Sequence, residues 1–415
     1  MLLDSNGIPG VSSGLGLIFI SWVAITSQED LVFPRRLLVP LLPLVTLVLV
    51  GLHGFFHNST GDVLRDGWYF INPILSICFG YYWIQKRRLG DLIDVYAFCS
   101  VILSLGAFVS LYRNFSQAVL LTDIEQYREL VGKGVMMPVI TMGMIWMARS
   151  ASGVRSYVLD RRWLRRLVLI VLFAGIAITF SRTLIICAVT GYVASLSWRQ
   201  NRRRVILVGV AALVLFIFSL GGVSSGDTSD SSFFSQFLDK ISHSGQEVNS
   251  RQFNDFSDIQ SDWRSYETYR AEQQFHGFDA VDKWIGGGFG QLIDLQLQIE
   301  LDSKYFTRIP ITHNGYAFIL VKTGVIGELL YATFILMLAT ASLRAMRSRI
   351  ASTAYFGKLA VWSLLVLLMT QGVLRGLYAR DSFACLIALI GMSIFVTSSG
   401  DDHHESLSKT HSMTW

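Results

Sequence analysis

Long apolar stretches recur along most of this chain, and they restrict the folds that it can adopt. Many of them are long enough to cross the hydrocarbon core of a bilayer, which is about 30 Å thick. Of the 415 residues, 52% are hydrophobic and only 16% are charged, whereas soluble proteins carry about 25% charged residues. We therefore predict an all-α, polytopic membrane protein with about eleven transmembrane helices, or twelve if one near the N-terminus is missed.

The apolar pattern places spans along the whole chain, with boundaries good to a few residues. The predicted spans are 8–26, 37–56, 69–84, 92–112, 134–148, 167–181, 183–198, 205–222, 314–341, 355–374 and 381–398. They divide the chain into an N-terminal transmembrane bundle, a large loop, a set of C-terminal transmembrane helices and a tail, at 1–222, 223–313, 314–398 and 399–415.

Basic residues in the short connections predict the orientation of these spans. Lys and Arg concentrate in alternate connections, and such connections face the cytoplasm in membrane proteins. This orientation puts the N-terminus and the loop 223–313 outside, and the tail 399–415 inside. The basic residues of the cytoplasmic set are Arg35, Arg36, Lys86, Arg87, Arg88, Arg149, Arg155, Arg161, Arg162, Arg165, Arg166, Arg199, Arg202, Arg203, Arg204, Arg344, Arg347 and Arg349.

The external loop opens with a polar linker and then shows a pattern of its own. From Asp255 to Phe278, apolar side chains recur at three- and four-residue spacing, which indicates a helix. The run Ile285–Gly290 ends that helix, and we interpret Leu292–Leu301 as a second amphipathic helix. A loop of about ninety residues with helices of its own is usually functional.

His313 lies where this polar loop ends and an apolar span begins. Histidine is the side chain whose unperturbed pKa lies closest to neutrality, so it is suited to accept or donate a proton at a membrane surface. An interfacial histidine can also hydrogen-bond and anchor a helix end without any chemical role. Both interpretations stay open from the spacing alone.

Several arginines are candidates for binding an anion outside the membrane. Arg182 stands at the outer junction of two spans, where a guanidinium is costly and often marks an anion site, although an arginine there can also extend to lipid headgroups. Arg264 and Arg270 lie in the predicted loop helix, and solvated surface charge is the alternative for both. Arg375 and Arg380 flank a short outer turn and run against the charge bias. Arginine forks match phosphate oxygens in pairs.

Other features indicate less about function. The glycine run 286–290 could approach a phosphate through backbone N–H groups, or it could be a turn. Lys322 and Glu328 are unusual at membrane depth, and we expect them to face a cavity or a neighbouring helix. The His residues of the tail form no ligand cluster, so no metal site is predicted. We expect the four cysteines to be small core residues: Cys78, Cys99, Cys187 and Cys385.

Taken together, these residues resemble the O-antigen ligase and polymerase family of bacterial inner-membrane glycosyltransferases. The pair His313-Asn314 is followed by nine residues and Gly324, and then by two residues and Gly327. These residue types and this spacing are similar to that family's C-terminal motif. Asn314, Tyr316, Gly324 and Gly327 are then expected to support the histidine.

Two further stretches add to the resemblance, which covers roughly residues 170–340. The step Ser181–Leu184 is similar to the family's span-start arginine, with Ile186 where the family often has leucine. Arg264, followed by Gly287–Gly290, is similar to its loop arginine before a Gly-x-Gly turn.

The resemblance implies an inverting, metal-independent and cofactor-free glycosyltransferase of the inner membrane, with its site on the periplasmic face. Its donor would be a glycan on undecaprenyl diphosphate. His313 would be the general base, and Arg182, Arg264, Arg270, Arg375 and Arg380 would bind diphosphate. A polymerase would transfer the glycan to a second carrier-linked glycan, with a possible partner that regulates chain length.

Two alternatives to a polymerase stay open. A ligase would transfer the glycan to lipid A–core. A transporter of lipid-linked glycans is an alternative of another class, because it would also need many spans and basic cavities. Cations that cluster at one face favour an enzyme over a transporter, and Arg375 with Arg380 as a second diphosphate site favours a polymerase.

Overall fold

A computed structural model describes residues 35–86, 89–118, 124–132, 134–148, 156–196, 253, 259, 262–301, 304–348, 350–379, 386–394 and 396. The predicted spans 8–26 and 205–222, the polar linker, Arg380, Cys385 and the tail 399–415 therefore lie outside the described residues. The chain forms two compact units. Unit 1 comprises Met1–Tyr82, Gln246–Ser342 and Ser363–Trp415, and unit 2 comprises Trp83–Gly245 and Leu343–Trp362.

The described residues are mostly helical. In chain order the helices are α1 (Arg35–Gly51), α2 (Thr60–Lys86), α3 (Leu89–Arg113), α4 (Phe115–Ala118), α5 (Ile124–Val131), α6 (Met137–Ala148), α7 (Tyr157–Asp160), α8 (Arg162–Ile178), α9 (Arg182–Ser195), α10 (Trp263–His276), α11 (Ala280–Ile285), α12 (Gly315–Met346), α13 (Ala351–Leu374) and α14 (386–394). Short 3-10 helices follow α1 and α13, at Leu52–Phe56 and Gly376–Tyr378.

Among the described residues, four helical segments are long and apolar enough to cross a membrane: Leu37–Phe56, Gly90–Arg113, Gly315–Met346 and Ala351–Leu374. Met137–Ala148 and Arg182–Ser195 are shorter apolar helices. Helices occupy the described parts of the predicted spans, while the total of eleven or twelve spans and the division of the chain by membrane side stay predictions.

One predicted helix is wrong. Leu292–Leu301 is not helical, because Ile293–Leu301 forms strand β1, which pairs antiparallel with β2, Lys304–Ile309. The sequence IDLQLQIEL alternates apolar and polar residues, and a period of two puts all the apolar side chains on one face of a strand. The fold class all-α is therefore corrected to a mostly helical fold that includes a two-stranded sheet in the described part of the chain.

The apolar face of this sheet packs on α10 and on the first turns of α12. Ile293, Leu295 and Ile309 are buried together with Tyr266 and Ala271 of α10. The Tyr266 hydroxyl donates to the Leu295 carbonyl oxygen, and burial raises the pKa of this phenol above its usual value, so it remains a donor at neutral pH. The predicted helix in 255–278 is thus present as α10, and the sheet holds it in place.

Helix α12 is interrupted at Gly324, whose φ of 63° and ψ of −164° are not helical. A break within an apolar span leaves backbone groups that water cannot satisfy. Here the glycine turn of residues 286–288 supplies the partners, because Gly287 N donates to the Val321 carbonyl oxygen at 2.9 Å and Gly288 N to that of Lys322 at 3.1 Å. The approach is so close that a Cβ on Gly324 would lie 2.4 Å from the Trp284 carbonyl oxygen.

Unit 2 is built from α3, α6, α8 and α9. Small residues allow α6 and α9 to pack against Trp362 of α13: a Cβ on Gly143 or Gly191 would meet its ring, which is fully buried. The buried hydroxyls of Ser100 and Thr141 lie 2.6 Å apart and bond across α3 and α6. Cys78 in unit 1 and Cys187 in unit 2 are buried thiols, as predicted, whereas Cys99 in unit 2 is only partly buried.

Candidate functional site

The side chain of His313 is bound to a carboxylate, that of Glu267 on α10. Nδ1 of His313 lies 2.8 Å from Oε2 of Glu267, and the backbone N of His313 donates to the same oxygen at 2.9 Å. Trp263, one turn earlier on α10, donates from its indole Nε1 to Oε1 at 2.6 Å. The Glu267 side chain is only 4% exposed, whereas that of His313 is 43% exposed. The buried Glu267 carboxylate therefore holds an accessible imidazole in place.

This geometry selects one tautomer of the His313 ring. An ionised carboxylate only accepts hydrogen bonds, so Nδ1 carries the proton when the imidazole is neutral. Nε2 then holds the lone pair. A ring whose second nitrogen is held by a carboxylate is the arrangement by which serine hydrolases orient a general base. The structure thus presents a proton acceptor in a defined orientation at the end of the loop that precedes α12.

The backbone around His313 is held from two further directions. Asn314 caps α12: its Oδ1 accepts from Tyr316 N at 3.0 Å and from Ala317 N at 3.3 Å. The His313 carbonyl oxygen accepts from Arg375 N at 2.9 Å, at the end of α13. Arg375 has a positive φ of 64°, a conformation rare outside glycine. Asn314 therefore supports the histidine by ending the loop and starting the helix.

Arg264 stands three residues before Glu267 on α10, so the two side chains share a face of that helix. The same helix therefore carries both Arg264 and the carboxylate that holds the imidazole. Arg270 lies three residues after Glu267, but its Nε donates to the Asp294 carbonyl oxygen in β1 at 3.1 Å. Arg270 is therefore turned toward the sheet.

Residues 167–332 match the family model described as O-antigen ligase. Over this stretch the chain is similar to the O-antigen ligase family. No curated protein that we compared with the chain matches it. Together with the four apolar helices, the family match indicates an integral membrane protein.

The O-antigen ligase stretch contains both Arg182 and the His313–Glu267 pair. Arg182 is the first residue of α9 and follows a tight turn in which Phe180 has a positive φ of 44°. A helix N-terminus carries partial positive charge, and a cation there adds to it, which favours an anion nearby. Arg182 belongs to unit 2, whereas His313, Arg264, Arg270 and Arg375 belong to unit 1.

The two motif glycines of the O-antigen ligase stretch have separate structural roles. Gly324 provides the break in α12. A Cβ on Gly327 would lie 1.8 Å from the hydroxyl of Thr323, one turn earlier on the same helix. Tyr316 is 40% exposed, and its ring lies 6.2 Å from that of Tyr331. The glycines therefore shape the helix behind the histidine.

The glycine run 286–290 does not serve as a phosphate nest. Gly287, Gly288 and Phe289 donate their N–H groups to carbonyl oxygens of Val321, Lys322 and Gly51. Gly290 N donates to Oδ2 of Asp66 at 2.7 Å. Gly286 N donates to the Asp282 carbonyl oxygen at 2.7 Å. Because all five N–H groups of the run are already used within the protein, the alternative interpretation as a structural turn is correct.

Lys322 faces a neighbouring helix, as expected. Its Nζ lies 2.6 Å from Oδ2 of Asp66 on α2 and also contacts the carbonyl oxygen of Gln291. The carboxylate of Glu328, the other charged residue of this span, has one oxygen buried without a hydrogen-bond partner among the described residues. Neither is part of the His313 pair.

Arg375 is partly buried, and its role as a diphosphate ligand stays a prediction. Its guanidinium carbon lies 5.6 Å from the centre of the Tyr69 ring, and its backbone holds His313. Arg380, the other arginine of the predicted second diphosphate site, lies outside the described residues.

Sequence reasoning missed Glu267 because it was hidden in an apolar pattern. Trp263, Tyr266 and Tyr269 marked the buried face of the loop helix, and Glu267 occupies that same face, one turn after Trp263. A single carboxylate among the apolar positions of an amphipathic helix was the available signal, because such a group needs a partner when it is buried.

Proposed function

We propose that this protein is a glycosyltransferase of the bacterial inner membrane that moves a glycan from undecaprenyl diphosphate to an acceptor hydroxyl at the periplasmic face. The observation that carries the proposal is the contact between His313 and Glu267, which leaves Nε2 as a proton acceptor in an exposed position. The family match over residues 167–332 supports a transferase of lipid-linked glycans.

In the proposed reaction, the acceptor oxygen attacks the anomeric carbon of the donor. A new C–O bond forms as the C–O bond to the diphosphate breaks, and the diphosphate leaves with that electron pair. Nε2 of His313 takes the proton of the acceptor hydroxyl, while Glu267 holds Nδ1 and stabilises the positive charge that the ring gains. A single displacement inverts the anomeric configuration.

Guanidinium groups stabilise the departing diphosphate in this proposal, so no metal ion is required. Arg264, on the same face of α10 as Glu267, is one such group. Arg182 at the start of α9 is the second, and its position at a helix N-terminus suits an anion. Arg375 contributes through the backbone of His313.

The first candidate activity is polymerisation, in which the acceptor is another carrier-linked glycan and a chain-length regulator is a possible partner. The second is ligation, in which the acceptor is lipid A–core, and the description of the matched family as O-antigen ligase favours it. Both use the same chemical step and differ only in the acceptor.

One assay tests the activity and separates these candidates. Purified protein in vesicles receives lipid-linked oligosaccharide, with and without lipid A–core, and the products are separated by size. A ladder on the carrier identifies a polymerase, and glycan on lipid A–core identifies a ligase. Movement of donor across the vesicle wall without a new glycosidic bond, or full activity of His313→Ala, overturns the proposal.

A further inference from the structure

A polar recess that does not include the His313 pair is lined in part by α10. It is a cavity of about 880 Å³ between the start of α2, the second half of α10 and the sheet. Neither His313 nor Glu267 nor Arg264 lines it. The residues on which the argument rests are Asp62, Tyr269, Arg270, Gln273, Asp294 and Arg308.

The charges in this cavity balance, which argues against a diphosphate ligand. Two carboxylates, Asp62 and Asp294, stand against two guanidinium groups, Arg270 and Arg308. The Asp62 pKa lies below its usual value, because the Ser59 hydroxyl donates to the carboxylate and Arg65 lies beside it, so this group is an anion at neutral pH. A polyanion needs an excess of cations around it, and the side chains that line this cavity do not provide one.

The mixture of donors and acceptors instead suits a neutral polyhydroxyl ligand. Each sugar hydroxyl both donates and accepts, so carboxylates, guanidinium groups and side-chain amides placed together can satisfy several hydroxyls at once. Four glutamines line the cavity: Gln273, Gln274, Gln291 and Gln296. Tyr269 adds an aromatic ring to this otherwise polar wall, and an aromatic face can pack against the C–H groups of a sugar ring.

Internal hydrogen bonds hold one wall of the cavity in place and leave other groups for a ligand. Gln274 bonds both the Leu292 carbonyl oxygen and Asp294 N. Asp294 Oδ1 accepts from the backbone N of Gln296, which has a φ of 53° at an irregularity in the strand pairing. Irregularities of this kind are frequent beside binding sites, because they redirect side chains.

Gln273 and Arg308 complete the lining from the exposed side. Both side chains are exposed, and no hydrogen bond ties either of them to the part of the chain that the structure describes. Arg308 stands opposite Asp294 in the register of the sheet. Gln273 lies six residues after Glu267 on α10, which is about 9 Å along the helix axis. The cavity is therefore within a few sugar residues of the imidazole.

We infer that this cavity is a glycan-binding subsite that holds the neutral sugar chain of a lipid-linked substrate, and that Arg270 serves this chain rather than the diphosphate. The inference rests on the proposed function for the origin of the glycan. Arg270 is therefore moved from the predicted diphosphate ligands to the glycan-binding residues. Two observations support this change: Arg270 donates to the Asp294 carbonyl oxygen, and the charged side chains that line the cavity balance.

Binding of a glycan without a diphosphate tests the subsite apart from catalysis. The probe is the oligosaccharide released from the lipid-linked donor by mild acid and dephosphorylated, added to the full chain in nanodiscs and followed by saturation-transfer NMR. Gln273→Ala and Arg308→Ala should each weaken binding about fivefold, as expected for the loss of one or two hydrogen bonds. Gln298→Ala, an exposed glutamine of β1 outside the cavity, is the matched control and should bind as wild type does.

Two further measurements separate this inference from the proposed reaction. His313→Ala should bind the released glycan with unchanged affinity although transfer is lost, and inorganic pyrophosphate should not displace the glycan. The inference is overturned if wild-type protein does not bind the glycan, if Gln273→Ala and Arg308→Ala bind it as well as Gln298→Ala does, or if pyrophosphate competes. His313-dependent transfer without glycan binding would refute the subsite alone.

The sugar chain could belong to the donor or to the acceptor, and steady-state kinetics distinguishes these sources. If it belongs to the donor, Arg308→Ala raises the donor KM at saturating acceptor by about fivefold. If it belongs to the acceptor, the same variant raises the acceptor KM instead. A variant that lowers kcat with both KM values unchanged contradicts a binding role for the cavity.

Discussion

Nζ of Lys322 lies 2.6 Å from Oδ2 of Asp66, and neither side chain is exposed. The pair joins α12 to α2 beside the glycine turn, because Gly290 N donates to the same carboxylate oxygen and Lys322 also contacts Gln291. A buried ion pair is costly to form, but the loss of one partner leaves the other charge uncompensated.

We expect Lys322→Met to destabilise the protein by about 3–5 kcal/mol, because it leaves the Asp66 carboxylate buried without its cation. Unfolding in a denaturing detergent titration measures this loss. The double variant Asp66→Leu with Lys322→Met removes both charges and should be less destabilised than the sum of the two single variants. Additive effects would show that the two groups do not interact in the folded protein.

Replacement of Glu267 by glutamine should lower kcat by about 10²–10⁴-fold. The amide removes the negative charge and can donate to Nδ1, which would move the imidazole proton to Nε2 and block its role as a base. Initial rates of glycan transfer give the effect on kcat, and nitrogen NMR of the labelled histidine reports the tautomer. Glu272→Gln, a partly buried glutamate five residues later on α10, is the control and should retain activity. Unchanged kcat in Glu267→Gln would exclude a positioning role.

Arg182→Lys should reduce kcat/KM for the lipid-linked donor by about 10²–10³-fold in the proposed reaction. Lysine keeps the charge but not the planar fork that binds two phosphate oxygens. Arg344→Lys, an exposed arginine in the last turns of α12, is a matched control that should change little. Initial rates at varied donor concentration give kcat/KM for both variants. Equal decreases in kcat/KM for Arg182→Lys and Arg344→Lys would contradict a diphosphate-binding role for Arg182.

Gly324→Ala should destabilise the protein by about 2–4 kcal/mol. Alanine is strained at the φ of 63° and ψ of −164° found there, and its Cβ would lie 2.4 Å from the Trp284 carbonyl oxygen. Gly106→Ala in α3 is the control, because a Cβ at Gly106 meets nothing within 4 Å and alanine favours the helix. The same detergent titration compares them. A stable Gly324→Ala variant would show that α12 can straighten without loss of its partners.

Much of the fold follows from local sequence patterns. Apolar length predicted the helices Leu37–Phe56, Gly90–Arg113, Gly315–Met346 and Ala351–Leu374, because a helix satisfies its backbone within one segment. The helix predicted from Leu292 to Leu301 is wrong. Apolar and polar residues alternate there with a period of two, which is the pattern of a strand and not of a helix.

Local patterns were less informative about the candidate site. The junction of a polar loop with an apolar span identified His313, and residue type and spacing identified Asn314 and the motif glycines. The partner of the imidazole lies 46 residues away on another helix, and nothing in the neighbourhood of position 313 points to it. Arg264 and Arg270 looked equivalent in the sequence, yet the sheet holds Arg270 through Asp294.

The sequence by itself determined the class of this protein. Apolar stretches indicated an integral membrane protein, and a histidine at the end of a polar loop with the glycines that follow it indicated a resemblance to the O-antigen ligase family, whose model matches residues 167–332. Only the tertiary structure decided which nitrogen of His313 holds the lone pair. It also showed that the glycine run donates its N–H groups to carbonyl oxygens at the break in α12 instead of to a phosphate. The reason is physical. Hydropathy and periodicity are properties of neighbouring residues, whereas the pairing of hydrogen-bond donors with acceptors depends on segments that only folding brings together.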